Sequence, residues 1–195
     1  VRVRAERSDE ELVLLFARGS RDAFEELFAR HHGRVVQFCY RMLGDRARAE
    51  EAAQEVFLRI ARAAGAYRPT ARFTTWMYQI ARRTTLNYIR DEKDPPGKTA
   101  LGVPEEEGAD TAFEVPGPEV LDPARMAWSA QVRERVEAAL AGMPEAYRSA
   151  LVLVAAEGLS YGEAASVLGI TVQALKSRVF RARRMLLASL GPGFG

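Results

Sequence analysis

Apolar residues recur at three-and-four spacing along most of this chain, with polar residues between them. That is the period of an α-helix with one buried face. No segment alternates with period two, so an all-α fold without a sheet is expected. The stretch "SDEELVLLFARG" opens with Ser8 and carries Glu11 three residues on, the pairing of a capping box, and Gly19 stops it. The stretch "SRDAFEELFARHHGRVVQFCYRMLGD" sets Phe24, Leu27, Phe28, Val35, Phe38 and Met42 on one face. Gly44 and Asp45 punctuate it, and Asp45 stands where it can cap "RARAEEAAQEVFLRIARAAG". A fourth helix is predicted over "RFTTWMYQIARRTTLNYIR", Arg72 to Arg90. There Phe73, Met77, Ile80, Ala81, Thr84 and Tyr88 form the expected core stripe. Trp76, Gln79, Arg83, Asn87 and Arg90 line a flank, while Tyr78 and Arg82 point elsewhere. Rings and arginines mixed along a flank suit a partner that is both flat and anionic.

The helical pattern breaks after Glu92. The stretch "KDPPGKTALGVPEEEGADTAFEVPGPEVLDPAR" holds prolines, glycines and an acidic run without periodicity. It reads as a flexible acidic linker, too long and polar for a turn inside one domain. Two small helical domains follow from it: residues 5–92, the linker 93–125, and residues 126–190. Helices resume in "MAWSAQVRERVEAALAGM", "EAYRSALVLVAAEG", "SYGEAASVLG" and "TVQALKSRVFRARRMLLASL". The apolar run "ALVLVAA" is expected in the core.

The last two of these helices have the anatomy of a helix-turn-helix. Ser160 and Glu163 make a second capping box, and Ala165 is small where two helices must cross. Gly169 stands at the turn, where a positive φ is expected; Ile170 anchors it and Thr171 caps the next helix. Val172, Leu175, Val179, Ala182 and Leu186 fall on its inner face. Gln173, Lys176, Ser177, Arg181 and Arg184 fall on its outer face, with Arg178 beside them. An apolar inside with a Gln/Lys/Ser/Arg outside suits a helix lying in the DNA major groove. The plainer alternative is a helical hairpin with a solvated basic face.

Composition adds less. The 195 residues are 48% hydrophobic and 28% charged, enough to bury a core. The net charge of +2 hides an uneven layout: residues 1–92 carry +4, 93–125 carry −5 and 126–195 carry +3. Basic ends around an acidic middle are a weak pointer to nucleic acid. Only Lys93, Lys98 and Lys176 are lysines; the rest of the basic residues are arginines, which suit phosphate and base contacts and also follow from coding bias. Cys39 is the one cysteine, so an intrachain disulfide and a Cys-based metal site are excluded. No leader-like apolar run and no membrane-length segment is present, so a cytoplasmic location without membrane insertion is expected. The sequence begins at Val1, and an initiator methionine is expected upstream.

Three segments together resemble the extracytoplasmic function (ECF) sigma factors, specificity subunits of bacterial RNA polymerase. "AEEAAQEVFLRI" is similar to that family's region 2.2, and "FTTWMYQIARR" to regions 2.3–2.4. "MPEAYRSALVLVAAEGLSYGEAASVLGITVQALKSRVFRARRML" is similar to regions 4.1–4.2. The order and the linker between them match as well. The resemblance implies core RNA polymerase as partner, through the coiled coil of its largest catalytic subunit and the flap of the second-largest. It also implies promoter DNA, and an anti-sigma factor is a family expectation. No catalytic residue, metal or cofactor is implied.

By the same resemblance, Glu50, Glu51, Gln54, Glu55 and Phe57 make the polymerase-docking surface, polar groups around an apolar anchor; a solvated acidic face with Phe57 in the core is the competing reading. Family members are usually more acidic, with a Leu, where Ala52 and Ala53 stand. Tyr67, Arg68 and Thr70 fall where relatives hold a flipped minus-10 base; simple packing is the competing reading for Tyr67. The minus-10 flank is Trp76, Gln79, Arg83, Asn87 and Arg90, with Arg83 where relatives often have Asn. The minus-35 element is met by Thr171, Gln173, Lys176, Ser177, Arg178, Arg181 and Arg184. The linker resembles the region that threads toward the polymerase active-site cleft; a plain tether is the alternative.

Two other classes compete. A helix-turn-helix regulator acting without polymerase needs an effector or phospho-acceptor domain, which an all-helical first half does not offer. A metal enzyme built on His31, His32, Glu25 and Glu26 is disfavoured, because adjacent histidines on a helix point about 100° apart.

Overall fold

The computed structural model describes residues 7–93 and 130–191. The linker after Lys93, its acidic run and the resumption at Met126 lie outside the described residues. All regular structure within them is helical. The first half holds α1 (Asp9–Ala17), α2 (Arg21–Leu43), α3 (Arg46–Ala63), a 3₁₀ turn (Ala64–Ala66) and α4 (Phe73–Lys93). The second holds α5 (Ala130–Ala141), α6 (Glu145–Leu151), α7 (Tyr161–Leu168) and α8 (Val172–Leu190). A π-helical turn, Val152–Ala156, continues α6.

Local chemistry sets the helix ends. Ser8 Oγ accepts from Glu11 N at 3.2 Å, and Glu11 Oε2 accepts from Ser8 N at 3.0 Å, closing the capping box of α1. Asp45 Oδ1 accepts from Arg48 N at 2.8 Å and starts α3. Gly44 ends α2 with φ 73°, a left-handed conformation that side chains with a Cβ resist.

In the first half α2 packs along α3, and both pack against α4. Leu27, Val35, Phe38, Met42, Val56, Ile60, Phe73 and Met77 are fully or almost fully buried between them. Each large side chain so buried contributes about 1.5–3 kcal/mol. Phe28 departs from the expected stripe: it is 38% exposed at the rim, stacked on His32. The histidine pair does not converge. His31 is buried with Nε2 at 2.7 Å from Asp9 Oδ2, tying α2 to α1, whereas His32 lies among the rings of Phe28 and Phe57. No group of potential metal ligands occurs among the described residues.

In the second half α6 and α7 pack on α8, over Ala150, Leu151, Leu153, Ala164, Leu168, Leu175 and Val179. The "ALVLVAA" run is core through Leu153 and reaches solvent at Ala155 and Ala156. The halves also meet. α7 packs on α4, and α5 packs on α2.

Candidate nucleic-acid interface

The turn between α7 and α8 is built from the residues expected to build it. Ser160 Oγ accepts from Glu163 N at 3.3 Å, and Glu163 Oε2 accepts from Ser160 N at 2.9 Å. The Ser160 hydroxyl and then its backbone N–H, with Arg72 nearby, hold the Glu163 carboxyl below the usual carboxylate range. Gly169 closes α7 at φ 69°. Thr171 Oγ1 then accepts from Ala174 N at 3.1 Å, fixing where α8 begins and which way it turns.

That start sets the faces of α8. Leu175, Val179 and Ala182 are buried, while Thr171, Gln173, Lys176, Ser177, Arg181 and Arg184 are exposed and Arg178 is half-buried. Val172, expected on the inner face, is 42% exposed. It opens the helix one turn ahead of Leu175, the first α8 side chain to be fully buried. Phe180 is also exposed, with the Arg184 guanidinium 5.9 Å above its ring. Lys176, Phe180 and Arg184 recur every four residues and so form one outer stripe. Such a helix can present its first turn to base edges and its later arginines to phosphates.

The loop before α4 divides its candidates. Arg68 and Thr70 are exposed, but Tyr67 is only 3% exposed. Its hydroxyl donates to Ala71 O at 3.0 Å, and its ring packs against Phe73 and, at 5.0 Å between centroids, Trp76. Burial pushes its phenol above the ordinary value. Tyr67 therefore braces the loop from beneath. Along α4, Trp76, Gln79 and Asn87 are half-buried, and Arg83 and Arg90 are exposed. Arg90 donates to Asn87 Oδ1 at 3.0 Å. Gln79 Nε2 donates to Ser166 O of α7 at 3.3 Å, so this residue of the flank touches the second half.

On α3, Glu50, Glu51 and Gln54 are exposed and Glu55 is half-buried. Glu50 pairs with Arg46 at 3.3 Å and Glu55 with Arg59 at 2.7 Å, one turn away in each case. Phe57, expected as the outward anchor, is 3% exposed. Its ring meets Phe28 edge-on at 4.8 Å and Phe24 at 6.4 Å, because it shares the inward stripe with Ala53, Val56 and Ile60. The outward apolar residue is its neighbour Leu58, 51% exposed.

Comparison with known proteins decides what such surfaces belong to. Sigma-70 region 2 matches residues 27–94, and Sigma-70, region 4 matches residues 133–186. The RNA polymerase sigma-H factor of Pseudomonas aeruginosa is 31% identical over 186 residues, covering 94% of each chain. The ECF RNA polymerase sigma factor SigW of Bacillus subtilis is 31% identical, covering 89% of this chain and 91% of its own. The chain belongs to the ECF family of sigma factors. It is a transcription specificity factor, a subunit that directs RNA polymerase to promoters. Solved structures share its fold. CnrH in complex with the cytosolic domain of CnrY superposes with a TM-score of 0.65 at 23% identity, covering 94% of this chain and 97% of that one. RpoE in complex with the anti-sigma factor NepR from Bartonella quintana gives 0.62 at 21%, covering 86% and 96%.

Two residues of this sigma factor gain a part that spacing along the chain did not suggest. Tyr78, set aside on α4, is fully buried with its ring against Phe38, and its hydroxyl donates to Glu157 Oε2. Glu157, at the end of the apolar run, is itself buried. The extra residue of the preceding π turn, closed by Glu157 N donating to Val152 O at 3.0 Å, turns its side chain toward the first half. A lone carboxylate directly after an apolar helix was the only signal in the sequence. Among the described residues, no helix is long and apolar enough to cross a membrane.

Proposed function

We propose that the first domain, residues 5–92, docks on core polymerase and opens the minus-10 element, and that the second, residues 126–190, reads the minus-35 element through α8. The observation that carries this reading is the two-sided build of α8. Thr171 caps it, Leu175, Val179 and Ala182 anchor it, and Gln173, Lys176, Ser177, Arg181 and Arg184 stand in solvent. Solvated arginines and a lysine supply the salt-dependent hold on phosphates, and the first-turn Gln supplies a bidentate base contact.

Polymerase docking is assigned to Glu50, Glu51, Gln54 and Glu55 with Leu58 as the apolar centre, and Phe57 supports that surface from within. The minus-10 strand is assigned to Arg68, Thr70, Trp76, Gln79, Arg83, Asn87 and Arg90. Trp76 supplies a ring on which a base can stack. An anti-sigma factor is a proposed partner; the NepR complex is a precedent on this fold. The protein acts by binding alone, without catalysis or cofactor, in the cytoplasm with its polymerase.

The test is run-off transcription with purified core polymerase on a genomic promoter library. Transcripts that depend on this chain are the expected result. Duplex binding by the chain alone, without core binding or transcripts, points instead to a regulator that acts without polymerase.

A further inference from the structure

Three acids open α1, and each is used differently. Glu11 closes the capping box of its own helix. Asp9 and Glu10 reach beyond that helix, and both lead to Phe73, the first residue of α4. Glu10 Oε1 accepts the Phe73 backbone N–H at 2.8 Å. Asp9 Oδ2 takes His31 Nε2 at 2.7 Å, and the His31 ring packs on the Phe73 ring at 5.3 Å between centroids. Asp9 Oδ1 is held in turn by Arg30 Nη1 at 2.9 Å. Tyr67 meets the same Phe73 ring edge-on at 6.4 Å. α1 also packs on the 3₁₀ turn Ala64–Ala66, just before Tyr67. Burial, and then the Glu10 and Asp9 charges, push the Tyr67 phenol up. Residues 68–72 therefore hang between two buried points, Tyr67 and Phe73, and the start of α1 reaches both.

His31 suits this core only through its contact with Asp9. The residue is 5% exposed. A carboxylate only accepts, so Nε2 carries the proton, and Nδ1 is left buried without a protein partner. A buried acceptor without a partner is destabilising, and a phenyl ring would pack on Phe73 without it. What the histidine adds is its other nitrogen, which holds Asp9, and with it the first turn of α1, beside Phe73. We propose that Asp9, Glu10 and His31 are positioning residues for minus-10 opening: they fix the loop that carries Arg68 and Thr70 before DNA arrives. The proposal rests on the minus-10 assignment above. Drawing a base out of the stack is costly, and a loop that must be ordered at the same moment adds to that cost. A loop pinned beforehand at both ends avoids the addition. The three side chains act through Phe73 and Tyr67, without touching DNA themselves.

The experiment uses holoenzyme assembled from core polymerase and the full chain, on a promoter found by the run-off assay. Permanganate reactivity of minus-10 thymines reads the rate of opening. Anisotropy with a minus-35 duplex and a core-polymerase titration read the other two functions, all below the melting temperature of every variant. E10A and H31F remove the two contacts. E10Q keeps an acceptor for Phe73 N, and H31Q keeps a donor for Asp9. The expected result is opening slowed about tenfold by E10A and by H31F, and less than about twofold by E10Q and H31Q, since the observed rate scales with the fraction of chains holding the loop in place. Duplex and core affinity are expected at the wild-type level in all four. H31F is expected to melt close to wild type, because it loses an unpaired acceptor along with a hydrogen bond. Wild-type opening rates in E10A and H31F overturn the proposal. So do glutamine variants that open as slowly as E10A and H31F, and so does a parallel loss of core and duplex affinity, which marks general damage to the fold. If H31F does not fold, the comparison of E10A with E10Q decides alone. Promoter-dependent transcripts from the wild type keep the function assigned above through any of these failures. A wild-type holoenzyme that opens no promoter overturns both.

Discussion

Glu10 of α1 caps a helix that begins 63 residues later: its Oε1 accepts the backbone N–H of Phe73 at 2.8 Å. The first N–H groups of a helix have no partner within it, and a carboxylate there also meets the positive end of the helix dipole. Glu10 therefore joins the start of α1 to the start of α4, beside the loop carrying Arg68 and Thr70. E10A is expected to lower stability by about 1 kcal/mol, the usual cost of a lost cap. It is also expected to speed amide exchange at Phe73. Denaturant unfolding and hydrogen exchange check both, and unchanged protection at Phe73 would falsify the link.

The outer face of α8 makes a second expectation. K176A and R181A each remove a solvated cation, while Leu175, Val179 and Ala182 stay buried beneath. Affinity for a minus-35 duplex is expected to fall, and the slope of log affinity against log salt to decrease by about one per residue. Binding to core polymerase is expected to remain at the wild-type level. Arg181 also lies 3.4 Å from the Tyr147 hydroxyl, a long contact that its loss leaves to solvent. Equal loss of core binding in both variants means that the fold, not the contact, was damaged.

Which parts of this protein could be read in advance follows from how far each interaction reaches along the chain. Ser8 with Glu11, Asp45, Ser160 with Glu163, Gly169 and Thr171 act within three or four residues, and each does what its spacing implied. The inward stripe of α4 was legible for the same reason. Phe57 as an outward anchor and Phe57 as core both fit the sequence, because the apolar stripe of α3 is wide; only its packing on Phe24 and Phe28 decides between them. Tyr78 bonds to Glu157 across 79 positions, and Arg41 does so across 116. No periodicity encodes a contact at that range; only the packing of the second half on α2 and α4 reveals it.

Cys39 makes stability sensitive to alkali. Burial, and then the nearby Glu157 charge, push its thiol from 9.0 up to about 12. A group whose folded value is raised contributes stability that is complete below its unfolded value and is lost as pH climbs toward the folded one. Between about pH 9 and 12, then, unfolding is favoured by about 1.4 kcal/mol per pH unit from this group. Tyr78, raised mainly by burial, acts in the same direction at higher pH. Denaturant curves for wild type and C39A from pH 8 to about 11 check the sign, with C39A expected to show the flatter decline. A steeper decline in C39A rules out the thiol as a cause. Thiol reagents are expected to label Cys39 only as fast as the chain opens, since the side chain is fully buried.

The neighbours Phe57 and Leu58 separate fold from docking on α3. Phe57 is 3% exposed and packs on Phe24 and Phe28, so F57A leaves a cavity and is expected to cost about 3–5 kcal/mol. Leu58 is 51% exposed beside Gln54 and Glu55, so L58A is expected to leave the melting temperature nearly unchanged. If this surface grips the polymerase coiled coil, L58A weakens core binding by about tenfold, the share of an apolar anchor at an interface centre. Thermal melting and a core-polymerase titration on the same two variants read the two effects apart. Wild-type core affinity in L58A moves the apolar anchor elsewhere, and the exposed rim at Phe28, where His32 stacks, is then the next place to substitute.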